Sequence, residues 1–431
     1  MRTFIIIWLG QLVSTIGSRL TDFAIEIWVW ENTGQATALS LIGFFYFLPN
    51  IFISLIAGAI TDRWNRKLLM IVGDIGAVFA TLIMVVLYLG GHLHIWQVYV
   101  IGTIKGSFSQ LQGLSYSASI GLLVPKQQYT RASSMGFFSY YGSEMIAPAL
   151  AGFLYYVIPF FGIAFIDFLT FLFAITTVLL VHIPQPILTE TTPYNRLNIW
   201  QDMQFGWKHI KGYPSLLLLL VLSSLFWLFL SISDAIYSPL ILARTGNNAQ
   251  VLGYVLAAAG FGGVTSAVIL STWGGLRSRI DGVLLGMIST GLSKAIFGYG
   301  QVLWIWFPSQ FCSSASITLR GSSNQAIWLS KVIPQMQGRV FATENMIQQM
   351  MGASAYLIAG PLADRIFEPA MSPGGYLAPI FGNFLGVNEG AGIALLFSSC
   401  AIAMLLVGIC GYFLQPIREV ELIVPDHNSV L

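Results

Sequence analysis

Eight ionisable residues sit inside stretches that are otherwise apolar. Arg19, Asp22 and Glu26 interrupt the first hydrophobic run, Phe4 to Trp30, and Lys105, Glu144, Asp234, Lys294 and Arg320 interrupt later ones. At 100° per residue the first three fall within about 60° of one another on a single helix face. A charge at bilayer depth costs at least ~2.5–3.5 kcal/mol on the most lenient insertion scale. Such a face must look onto protein or water. Two chemistries suit it. One is ion pairing: Arg19 and Asp22 stand at i,i+3 on one helix, and Lys105 has carboxylates available from the first or fifth hydrophobic stretch. The other is proton carriage, because a carboxylate left without a partner in dry surroundings holds a proton more readily. Asp22 and Glu26 are the proton candidates. Arg19 is closer along the helix to Asp22, which favours Glu26 as the unpaired one. Asp167 and Glu344 lie nearer the ends of their stretches.

Other chemistries find no footing. The residues include no HExxH, no GxSxG and no nucleotide-binding loop, so neither an enzyme nor an ATP-driven pump is expected. Cys312, Cys400 and Cys410 are far from any CxxC spacing, so no disulfide, metal site or cofactor is expected. They read as small buried thiols. The longest basic run is Arg66-Lys67, which excludes a nucleic-acid footprint.

The elements that position these residues are membrane helices. The chain has 431 residues, 56% hydrophobic and only 9% charged, against about 25% charged in a soluble domain. Hydropathy places twelve spans: 4–30, 36–61, 68–90, 95–120, 133–158, 160–183, 214–243, 250–273, 282–301, 303–328, 340–366 and 390–414. The first is read as a retained span, since it lacks a clear signal-peptide cleavage site. Residues 184–212 form a polar linker with Pro184, Pro186 and Pro193, which divides the chain into a 1–183 bundle and a 213–415 bundle, followed by a 416–431 tail. With the N-terminus in the cytoplasm, fourteen Lys and Arg fall on inner segments and two, Arg244 and Arg365, on outer ones. This bias puts both termini in the cytoplasm of a multi-pass protein of the plasma (inner) membrane. The outer loop from Phe367 to Gly390, rich in Pro and Gly, reads as a lid or a surface insertion.

The two halves echo each other. Asp22 with Thr33-Gly34 matches Asp234 with Thr245-Gly246 at an offset of 212. Arg131 matches Arg339, and Ala151-Gly152 matches Ala359-Gly360, at an offset of 208. A parallel repeat of six helices points to a transporter with its site at the midplane, between the repeats.

Motifs narrow the class. Gly58-Ala59-Ile60-Thr61-Asp62-Arg63-Trp64-Asn65-Arg66-Lys67 follows the second span. It resembles the G-x-x-x-D-R-x-G-R-K loop of the major facilitator superfamily, with Asn65 in place of a glycine. The resemblance implies that Gly58, Asp62, Arg63, Arg66 and Lys67 form a conformational latch. The second-half counterpart, Gly274 to Arg279, lacks the Asp. Gly142, Pro148 and Gly152 in the fifth span are similar to that superfamily's antiporter motif, which goes with export. Small residues there let helices approach closely. Gln11, Gly17, Asp22 and Glu31 to Gly34, with the loops Val124-Pro125…Arg131 and Val332 to Arg339, resemble the third drug:proton antiporter family, which includes macrolide efflux proteins and enterobactin exporters.

The expected fold is therefore all-α: twelve transmembrane helices in two six-helix pseudo-repeat bundles. The expected function is proton-coupled efflux of an amphipathic small molecule such as a drug, macrolide or siderophore, by a monomer in the lipid bilayer. A lysophospholipid flippase or a nutrient symporter of the same fold is the alternative. Arg19, Asp22, Glu26, Lys105, Glu144, Asp234 and Arg320 are the expected coupling and cavity residues. Tyr46, Tyr140, Tyr141, Trp227, Phe229, Gln348 and Gln349 are the candidates for touching substrate.

Overall fold

The computed structural model describes residues 2–125, 128–181, 183, 206–208, 210–332 and 334–423. Within these, the side chains of 54–63, 121–122, 129–131, 133–134, 137, 334–335 and 338 are not described. Most of the 184–212 linker, the end of the tail, and the Gly58, Asp62, Arg63 and Arg131 side chains therefore lie outside the described residues.

Long helices occupy all twelve hydrophobic stretches. The first six are α1 (Arg2–Thr33), α2 (Ala36–Arg63), α3 (Arg66–Leu89), α4 (Ile95–Leu123), α5 (Tyr129–Val157) and α6 (Phe160–Leu180). The later ones are α7 (Pro214–Ala235) with α8 (Tyr237–Thr245), α9 (Ala249–Trp273), α10 (Arg279–Tyr299), α11 (Leu303–Lys331), α12 (Pro334–Leu362) and, after two short helices, α15 (Ala391–Phe413). Helices are forced on such sequences, because lipid offers no partners for backbone N–H and C=O groups. Among the described residues, eight candidate spans are long and apolar enough to cross a membrane, with α7 and α8 counted as one. α4 and α11 are too polar to join them. On α4 the hydroxyls are absorbed locally: Ser107, Ser115 and Ser119 each donate to the carbonyl four residues back.

The seventh span, expected as one run over 214–243, breaks at Ile236 into α7 and α8. α8 ends where Gly246 takes φ 63°, a left-handed cap that glycine adopts without strain. The segment from Phe367 to Gly390 is partly helical. A π-turn (Ala363–Phe367) leads into α13 (Glu368–Met371) and α14 (Ala378–Leu385). The Glu368 carboxylate accepts the N–H groups of Gly390 (2.6 Å) and Gly392 (2.8 Å), which caps the start of α15 and ties the segment's two ends together. Cys400 is buried as expected, but Cys312 and Cys410 are exposed.

The described chain forms two compact units. Unit 1 comprises Met1–Gly34, Leu41–Leu197 and Asn248–Ala257, and unit 2 comprises Gln35–Ser40, Asn198–Asn247 and Ala258–Leu431. In unit 1, α1 packs against α4, α5 and α6, and α3 packs against α4. In unit 2, α10 packs against α11 and α15, and α7 packs against α12 and α15. Leu219, Phe226, Met287, Trp328 and Met404 lie in its buried core.

Candidate functional site

Each unit buries one lysine against one aspartate. In unit 1 the Lys105 ammonium, from α4, donates to the Asp22 carboxylate of α1. The lysine side chain is 7% exposed and the aspartate 45%. In unit 2 the Lys294 ammonium, from α10, lies 2.8 Å from the Asp234 carboxylate of α7, with exposures of 1% and 47%. Lys294 also sits 5.7 Å above the Tyr237 ring and 5.3 Å above the Phe397 ring. The two carboxylates keep one open side while their lysines are sealed. That asymmetry lets the acid meet solvent or ligand while the base supplies fixed positive charge.

The aspartates are the pair related by the 212-residue offset. The lysines are not related by any repeat. Lys105 comes from the fourth helix of the first half and Lys294 from the third helix of the second.

Arg19 departs from the expected i,i+3 pairing. Its guanidinium lies 3.4 Å from the Glu144 carboxylate of α5 and 5.5 Å from the Tyr140 ring centroid. The longer arginine fork spans to the next helix, which leaves Asp22 to Lys105. Glu26 has an interaction of its own, so the expectation that Arg19 leaves it unpaired loses its premise. Tyr46, from α2, lies within electrostatic range of Asp22 and Lys105. Tyr141 packs edge-on against Tyr140.

In unit 2, Arg320 is 5% exposed and stacks over Phe226 at 4.7 Å. Its Nε and one Nη have no hydrogen-bond partner among the described residues. Glu344 supplies the nearby negative charge. That carboxylate accepts from Asn324 at 3.1 Å and from Gln348 at 3.2 Å, so Gln348 is engaged with Glu344. Trp227 lies beside Gly352 of α12.

Two buried carboxylates of unit 1 stand outside the expected set. Asp74 of α3 accepts from Gln11 at 3.3 Å, and Gln112 donates to Gln11 at 2.7 Å. Asp167 of α6 is 1% exposed and accepts from Ser18 at 3.0 Å. Asp74 gave no signal beyond being an acid in an apolar run. Asp167 was visible only as an acid near a span's end.

The latch motif is described in part. Arg66 donates to the Ala118 carbonyl of α4 at 2.6 Å. Lys67 donates to the carbonyls of Leu179 and Val181 at 2.9 and 2.8 Å, which places a cation on the C-terminus of α6. The spacing G-x-x-x-D-R recurs at Gly360 to Arg365, and there the acid is visible. Within unit 2, the Asp364 carboxylate accepts the N–H groups of Ala36 (3.0 Å) and Thr37 (2.7 Å). The second-half counterpart of the latch loop, Gly274 to Arg279, has no acid, and Asp364 is a separate cap beyond the end of α12.

The antiporter-like motif serves close packing. Within unit 1, a side chain at Gly152 would meet the Ala249 carbonyl at 2.8 Å, and one at Gly253 would meet the Pro148 carbonyl at 2.5 Å. Tyr156 accepts the Ala249 N–H at 3.0 Å and fixes the same crossing. A side chain at Gly142 would meet the Phe138 ring first, at 3.7 Å, an ordinary contact.

The chain is similar in sequence and in fold to known transporters. Macrolide efflux protein A of Streptococcus pyogenes is 27% identical over 368 residues, which cover 84% of this chain and 90% of the relative. The MFS-type transporter YfiS of Bacillus subtilis is 24% identical over 422 residues, covering 95% and 92%. The nucleoside transporter NupG shares the fold at a TM-score of 0.68 and 11% identity, over 95% of this chain and 99% of that one. A bacterial homologue of the iron transporter ferroportin does so at 0.67 and 15%, over 95% and 97%. The family model described as Major Facilitator Superfamily matches residues 7–356. The chain belongs to the Major Facilitator Superfamily and is a membrane transporter, not an enzyme.

Proposed function

We propose that this transporter exports an amphipathic small molecule of the macrolide type in exchange for protons. All twelve long helices cross the inner membrane, both termini are cytoplasmic, and the two halves alternate access in a monomer. The observation that carries the reading is the half-open Asp22 carboxylate held by a sealed lysine, in a chain whose relatives include macrolide efflux proteins. A proton on Asp22 or Glu26 alters the charge balance around Lys105 and Arg19. An exposed acid can exchange that proton with water, and the shared lysine passes the change to α4. Aromatic rings beside the charges, Tyr46 and Tyr140, suit a substrate with both apolar and cationic parts.

The test is transport by purified protein in proteoliposomes under an imposed pH gradient, with macrolides, cationic dyes, siderophores and lysolipids as the panel. Gradient-dependent movement of a macrolide or dye is expected. Movement of a lysolipid without proton dependence would replace this reading with a flippase, and gradient-driven accumulation of a nutrient in the same direction as protons would replace it with a symporter.

A further inference from the structure

Lys105 faces two acids. Its direct partner is Asp22. Asp167 also lies within electrostatic range of the ammonium. The geometry explains why. Ser18, one helical turn before Asp22 on α1, donates to Asp167 on α6 at 3.0 Å, and at Gly17 α1 comes so close that an added side chain would meet the Asp167 backbone at 3.1 Å. Asp22 and Asp167 thus approach Lys105 from neighbouring helices. They differ in one respect: the Asp22 side chain is 45% exposed, whereas Asp167 as a residue is 1% exposed. Water reaches the first and not the second.

A sealed ammonium needs a counter-charge at every stage, since breaking a buried pair strands the remaining charge. If Asp22 accepts a proton, its charge is gone. The groups that then lie within electrostatic range of Lys105 are Asp167 from α6 and Tyr46 from α2, and Arg19 of α1 lies within range of that same tyrosine. Arg19 is a like charge already paired with Glu144 of α5, and Asp74 of α3 sits two turns away, at Gln11.

We propose that Asp167 is the reserve counter-charge of Lys105: when Asp22 takes up a proton, the ammonium turns from Asp22 to Asp167, so unit 1 carries a proton on its open carboxylate without stranding its buried lysine. The proton comes from a hydronium ion of the bathing water, whose O–H bond breaks as the Asp22 O–H bond forms, and it returns to water by the reverse step. Lys105 keeps all its protons. Asp167 is a positioning residue, and the use of this exchange in transport rests on the proton-coupled reading above.

The test is a double-mutant cycle read by thermal unfolding of the full-length protein in detergent. Asn at 167 keeps an acceptor for Ser18. Asp22→Asn and Asp167→Asn alone are expected to lower the midpoint modestly, because each leaves Lys105 one acid. Together they are expected to lower it by clearly more than the sum, and Lys105→Met added to the pair is expected to recover most of the loss. A second readout is the pH profile of transport. In Asp167→Asn the acid limb is expected to move to lower pH by about one unit, a tenfold change in proton affinity, because protonating Asp22 now strands the lysine. Additive unfolding shifts, or no recovery with Lys105→Met, would overturn the proposal even if transport proves proton-driven. A non-additive cycle with proton-independent transport would keep the exchange and overturn the coupling.

Discussion

Asp234→Asn is expected to destabilise the protein by about 3 kcal/mol, the low end for breaking a buried pair because the acid itself is half-open. The Lys294 side chain is 1% exposed, between Tyr237 and Phe397. Among the described residues no second acid pairs with it. The amide oxygen can still accept from the ammonium, but it carries no counter-charge for a lysine held between two aromatic rings. Lys294→Met alone should be milder, because Asp234 keeps access to solvent, and the double variant should regain most of the lost midpoint. Thermal unfolding of the three variants in detergent decides this. The contrast with Asp22→Asn matters, since unit 1 holds a reserve acid and should lose less.

Gly152→Val is expected to reduce transport at least tenfold and to lower the yield of folded protein. The added side chain would start 2.8 Å from the Ala249 carbonyl and 3.3 Å from the Gly253 backbone. Backbone cannot step aside as a flexible side chain can, so α5 and α9 must separate. Overpacking of this kind costs about 1–3 kcal/mol. Gly142→Val is the matched control. There the nearest described atoms to an added side chain are those of the Phe138 ring, at 3.7 Å and beyond, which is ordinary contact. Equal loss in both variants, measured as transport per folded molecule, would mean that the crossing is not what the motif protects.

These two expectations show where the sequence was informative. Ionisable residues in apolar runs mark themselves, because lipid penalises them wherever they point. Asp22, Asp234, Lys105, Lys294 and Arg320 were therefore visible before any fold was known, and the fold class followed from the hydropathy that surrounds them. Pairing was visible only in part: the choice open to Lys105, a carboxylate from the first or the fifth stretch, is resolved in favour of Asp22 of the first. Arg19 and Asp22 are neighbours on one helix, yet the guanidinium reaches Glu144 on another. Side-chain reach across a helix crossing depends on approach distances, and those are set by residues such as Gly17 that carry no charge signal. Lys294 was harder still, because its helix is not the one that the parallel repeat equates with the helix of Lys105.

The same limit explains Asp364. Its motif, Gly360 to Arg365, repeats the spacing of Gly58 to Arg63, but it occurs at the end of α12, outside the register of the 208- and 212-residue offsets. Its use as a cap on the first turn of α2 needs the contact itself to be seen. The anchoring of the Pro- and Gly-rich segment at 367–390 was hidden for a related reason. Turn residues signal where a chain bends, and Glu368 decides whether the bend is anchored.

The most direct test of the account is proton movement on substrate addition. Proteoliposomes loaded with a pH-sensitive dye, holding wild-type protein or Asp22→Asn or Glu26→Gln, receive a macrolide with no imposed gradient. The account predicts a pH change opposite in direction to macrolide flow for wild type, abolished by a proton ionophore and lost in at least one of the two variants. Macrolide flow with no pH change in wild type, or wild-type signals in both variants, would contradict it.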